Sequence, residues 1–137
     1  MGWLQDDARI AALIYRDGKD LWRDLKLAIR TAVDEYNRIY CEPGHPDLSY
    51  NGCEYLNDDC ARVRIIPQPP GREEVSYEIM FLPDERRIQG LNLDLGVEGG
   101  KVVLKAGGEM VTIEEASRTM LKPLLSRLPP RQPNITL

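Results

Sequence analysis

Between Leu4 and Ile39, apolar or small residues recur in steps of four and three: Leu4, Ala8, Ala11, Tyr15, Gly18, Trp22, Leu25, Ile29, Ala32, Tyr36 and Ile39. That spacing returns to one side of a 3.6-residue turn and predicts a long amphipathic helix. Arg16-Asp17-Gly18-Lys19-Asp20 has the composition of a turn, yet the register passes through Gly18 unbroken. A helix that stopped there would have no reason to restart in phase. Because an interior glycine costs only about 1 kcal/mol relative to alanine, one helix is favoured over two joined at Gly18. If it bends, Asp17-Gly18 is where the kink falls. Two prolines and a glycine between Cys41 and Asp47 end it near Tyr40.

The period then shortens to two. Val75, Tyr77, Ile79 and Phe81 alternate with Ser76, Glu78 and Met80, the clearest strand of the chain. Asn51-Gly52 and Asn57-Asp58-Asp59 are turn signals ahead of a strand over Arg62–Ile66. In Arg87–Leu95 the residues Leu91, Leu93 and Leu95 alternate but Ile88 is out of phase with them, and Gly90 between the two sets predicts a bulge. Gly99-Gly100 and Gly107-Gly108 predict hairpins flanking Lys101–Lys105. Turns this short join antiparallel neighbours, so the middle of the chain is expected to be an antiparallel meander of four to six strands.

Thr112-Ile113-Glu114-Glu115 is a capping box that starts a C-terminal helix. Its apolar stripe is Ile113, Ala116, Met120, Leu121, Leu124 and Leu128, with Pro123 ending or kinking its first part. Residues 129–137 hold three prolines and are expected to be an extended, flexible tail. The predicted architecture is one α+β domain over residues 1–128: a long N-terminal helix, a meander sheet and a C-terminal helix.

Composition narrows the function classes. The chain has 137 residues, 42% hydrophobic and 29% charged, and a formal net charge of -4. Its 18 basic residues are scattered among 22 acidic ones. No basic stripe is written that would release counterions from phosphates, so nucleic acid is not an expected partner. No apolar run approaches the ~20 residues of a membrane span, and the first residues lack the basic-then-apolar profile of a secretory signal. With the odd count of three cysteines, reduced thiols and a cytoplasmic address are expected.

Cys41, His45, Cys53 and Cys60 gather every cysteine and the single histidine into one window. Three thiolates and an imidazole suit tetrahedral zinc. The gaps of three, seven and six residues do not match the paired ligands of structural zinc sites, so packed thiols and a loop histidine, with no cofactor, are the favoured reading. A Cys53–Cys60 disulfide across the intervening turn is the other alternative. No Gly-x-Ser-x-Gly, His-Glu-x-x-His, Walker loop or Gly-x-Gly-x-x-Gly is present, and no catalytic residue is assigned.

Two functional classes remain. The first is a non-enzymatic interaction or adapter protein that self-associates as a homodimer, because the N-terminal stripe offers more apolar length than one small sheet covers. Leu4, Ala8, Ala11, Tyr15 and Trp22 are its candidate contact residues, and a further protein partner is compatible with it. The second is a small-molecule-binding protein or enzyme with a pocket between helix and sheet, with Tyr50, Tyr77 and Met80 as candidate lining.

Overall fold

The computed structural model describes residues 2–40, 48–57, 60–67 and 75–125. The first helix, α1, runs unbroken over Trp3–Tyr40, 38 residues and about 57 Å at 1.5 Å per residue. Among the described residues seven strands follow, β1 (Leu48–Asn57), β2 (Cys60–Pro67), β3 (Val75–Leu82), β4 (Arg87–Gln89), β5 (Leu93–Glu98), β6 (Lys101–Ala106) and β7 (Glu109–Val111). A 3-10 turn over Pro83–Glu85 links β3 to β4, and α2 (Ile113–Leu125) closes the described chain. Each strand pairs antiparallel with the next, so the sheet order is the chain order. The α+β meander with a helix at each end is the architecture the sequence pattern predicts.

The strand count rises to seven because Arg87–Leu95 is not one bulged strand. Gly90-Leu91-Asn92 turns the chain back, and Ile88 and Leu93 become direct partners across β4 and β5. Cross-strand partners point to the same face, which resolves the phase break: each strand keeps its own parity, and Ile88, Leu91, Leu93 and Leu95 are all buried. Gly90 has φ +99°, and a Cβ there would lie 2.6 Å from the Glu78 carbonyl oxygen. Tyr77 Oη donates to the Gly90 carbonyl and ties the turn to β3. The Gly99-Gly100 and Gly107-Gly108 hairpins have positive φ at both central residues, the twist that matches flanking right-handed strands.

Both helices contribute to one hydrophobic cluster on one face of the sheet. α1 touches β1 at one edge and β5 and β6 toward the other, so the twisted sheet curls around it, while α2 packs on α1 and β3. The buried stripe of α1 is Ile14, Gly18, Trp22, Leu25, Ile29 and Val33. From Gly18 onward it follows the predicted register. It is wider than one line because a helix lying in a curved sheet beside a second helix is covered on two sides, which brings in Ile10, Ile14, Leu21 and Val33. Gly18 is a socket: a Cβ would meet the Phe81 ring at 3.3 Å, and Trp22 stacks on that ring with centroids 5.7 Å apart.

The α2 cap forms as the sequence implies. The Thr112 backbone N–H donates to Glu115 Oε1 at 3.1 Å, and the Glu115 N–H donates to Thr112 Oγ1 at 3.0 Å. Ala116, Met120 and Leu121 are buried on the predicted stripe. The helix runs two residues past Pro123, because a proline in the last turn removes a single backbone bond. Leu128 and the tail lie outside the described residues.

Candidate functional site

The arm formed by the first four turns of α1 separates two populations of side chain. Ile10 is half-buried and Ile14 fully buried, facing the protomer's own core. Leu4, Ala8, Ala11 and Tyr15 are all exposed, although they continue in phase the stripe that is buried from Gly18 onward. Trp3 is 74% exposed, Leu4 67% and Tyr15 58%. Of the five predicted contact residues, four therefore share this open face. Trp22 does not: at 3% exposure it is part of the protomer's own core, against Phe81.

Arg86 holds the arm at its second turn, and nothing in the local sequence pattern points to it. It follows the 3-10 turn with φ 54°, its backbone N–H donates to the Pro83 carbonyl at 3.0 Å, and its carbonyl accepts from the Leu95 N–H at 2.7 Å. Fixed in this left-handed conformation, it projects its guanidinium along the helix, where Nη2 lies 3.0 Å from Asp7 Oδ1 and 3.2 Å from the Asp7 carbonyl oxygen. The contact spans 79 positions of sequence.

Beside the arm runs an open groove of about 1020 Å³ between α1 and the β3 end. Tyr15, Lys19, Trp22 and Lys26 line one wall, and Phe81, Pro83, Asp84 and Glu85 the other. Lys19 Nζ lies 5.3 Å from the Tyr15 ring centroid and Lys26 Nζ 5.4 Å from that of Trp22, within range of cation–π attraction. Arg23 pairs with Asp20 at 3.3 Å. The cations of α1 thus face the carboxylates of the 3-10 turn. Among the described residues, no serine, cysteine or histidine lines the groove. Tyr77 is bonded to Gly90 on another part of the sheet, and neither it nor Met80 lines the groove. No family model matches the chain, no curated protein matches it and no solved structure matches its fold.

The metal candidates are only partly described. Cys41 and His45 lie outside the described residues, and Cys53 is placed on β1 by its pairing with Val63. Among the described residues, no cluster of three or more histidine, cysteine, aspartate or glutamate side chains forms a metal site. Cys60 is a free thiol, and its partner across β1 and β2 is Asn57. Although its parity is opposite to that of core residues Ala61 and Val63, it is 1% exposed.

Burial, followed by the nearby Glu78 carboxylate, raises the Cys60 pKa, against a smaller opposing pull from Arg62. The thiol is held neutral and inert in the native state. For an acid whose folded pKa is raised, the unfolded chain releases its proton first as pH rises. The stability linked to Cys60 is therefore complete below the ordinary thiol pKa and is lost as pH climbs through it toward the folded value. At pH 8, Cys60 should react with a maleimide only at the rate of unfolding. Peptide mapping of the labelled protein checks this, and rapid labelling of Cys60 in native buffer would contradict it.

Among the described residues, no helix is long and apolar enough to cross a membrane.

Proposed function

We propose that the protein is a non-enzymatic interaction protein that self-associates through the open face of the α1 arm, in a cytoplasmic, thiol-reducing setting. One observation carries the reading: the helix face of Leu4, Ala8, Ala11 and Tyr15 stays in register with the core stripe yet leaves Leu4 and Tyr15 in water, with Trp3 exposed beside Leu4. Large apolar side chains grouped this way mark association surfaces far more often than the same residues scattered singly. The free thiol of Cys60 and the odd cysteine count support the choice of compartment.

Sedimentation equilibrium on the full chain, from about 10 µM to about 1 mM, is expected to give a mass that rises toward the dimer. Leu4→Lys should hold it at the monomer while leaving the thermal midpoint of the dilute protein unchanged. A strict monomer over the whole range overturns the proposal.

The groove favours a second reading, a small-molecule binder in which the α1 cations and the carboxylates of the 3-10 turn take the two ends of a zwitterionic ligand. Trp22 and Phe81 are each only 3% exposed, so Tyr15 is the aromatic surface available for stacking there. A ligand-dependent rise in the thermal midpoint of the dilute monomer would favour this reading.

A further inference from the structure

We infer that the solvent side of α1 binds an acidic helix of a protein partner through a stripe of six cations, Arg9, Arg16, Lys19, Arg23, Lys26 and Arg30. In the linear sequence these residues are scattered among acids. On the helix they fall into line: Arg9, Arg16, Arg23 and Arg30 stand seven apart, and Lys19 and Lys26 repeat the same interval three positions on. At about 100° per residue, all six lie within a sector of about 100° that runs about 32 Å along the axis. Five of them are exposed and Lys26 is half-buried. The stripe exists because α1 passes through Gly18 without a break; a kink there would set Arg9 and Arg16 off the line of the other four.

The carboxylates around the stripe select the kind of anion it accepts. Asp17, Asp20 and Asp24 lie along one flank. Asp84 and Glu85 stand across the groove from the other, where Lys19 and Lys26 line the near wall. A nucleic-acid duplex presents phosphates on a broad front and would press them onto both acidic flanks. An amphipathic helix offers one narrow row of carboxylates, three and four residues apart, that stays between them. The pitch matches as well: from Arg16 to Arg30 the cations rise by about 4.5 or about 6 Å at a time, the axial steps of three and four residues.

The charges of the stripe are available to such a row. Arg16 pairs with Asp17 at 2.8 Å and Arg23 with Asp20 at 3.3 Å. Both pairs join exposed side chains on one helix, and pairs of that kind contribute little and exchange for a better-placed carboxylate. Among the described residues, Arg9, Lys19 and Arg30 have no ion pair. The stripe is a different face of α1 from the Leu4, Ala8, Ala11 and Tyr15 line, so it stands whether or not that line self-associates.

Fluorescence anisotropy on the full chain tests it. The probe is a labelled helix-forming peptide of about 20 residues, the length of the stripe, with glutamates every three and four positions along one side. It is expected to bind saturably at low salt and to be released as ionic strength rises. Arg16→Glu with Arg23→Glu should weaken binding by about tenfold or more, with the thermal midpoint of the dilute protein unchanged. Lys19→Gln with Arg30→Gln, which removes charge without reversing it, should weaken it in the same direction. Lys101→Glu with Lys122→Glu makes the same change in net charge as the arginine reversals but away from α1, and should leave binding as it was. Absence of saturable binding overturns the assignment, as does equal weakening by the Lys101 and Lys122 reversals. Equal binding of a peptide with the same glutamates spread around its helix, or of a short DNA duplex, also overturns it. A salt-sensitive dimer of the Leu4→Lys chain would mean that a second copy covers the stripe, and would overturn it too.

Discussion

Trp22→Ala should destabilise the protein by about 3–5 kcal/mol, the range for truncating a large buried aromatic. The indole is 3% exposed, stacks on Phe81 at an interplanar angle of 10°, and sits one turn beyond the glycine socket that receives the same ring. Removing it opens a cavity at the place where α1 grips β3, and the Phe81 ring loses its partner without a side chain at Gly18 to replace it. Urea unfolding followed by far-UV circular dichroism measures the change. Trp3→Ala is the matched control: the same deletion on the exposed arm should move monomer stability by less than about 0.5 kcal/mol while weakening self-association. Equal losses from the two substitutions would mean that the arm is part of the folded core.

Gly90→Ala should cost about 2–4 kcal/mol, a loss out of proportion to one methyl group. Two penalties add. The backbone is at φ +99°, where an L side chain is strained, and the new Cβ would lie 2.6 Å from the Glu78 carbonyl oxygen and 3.1 Å from the Ile79 Cγ2. The first of these contacts is with backbone, which cannot rotate away, so relief requires β3 and the turn to separate and strains the Tyr77 hydrogen bond to Gly90. Gly99→Ala is the comparison, because Gly99 has φ +58° and open space around its Cβ direction; it should cost no more than about 1 kcal/mol. Denaturation midpoints at unchanged m-value separate the two. A Gly90→Ala protein as stable as Gly99→Ala would refute the close approach of the turn to β3.

Much of the fold is legible because it is written in local period and local chemistry. The helix that passes through Gly18 keeps one phase, the capping box at Thr112 and Glu115 makes its two reciprocal bonds, and the glycine pairs at 99 and 107 make their hairpins. What misled was parity: Ile88 against Leu91, Leu93 and Leu95 reads equally as a bulge in one strand or as a reversal between two. Only the cross-strand pairing of Ile88 with Leu93 decides between them. The candidate site was legible in part. Leu4, Ala8, Ala11 and Tyr15 could be placed on one face from spacing alone, whereas Trp22 has the same spacing and a different fate.

The sequence by itself determined that this chain makes a long in-phase helix, an antiparallel meander and a capped second helix, because each depends on residues within a few positions of one another. Tertiary structure alone decided where the α1 stripe passes from open to buried. That boundary depends on Phe81 filling the space over Gly18, a contact between residues more than sixty positions apart that no local period encodes. The same boundary makes Tyr15 a surface residue and Trp22 a core residue, one heptad step apart on the same face of the same helix.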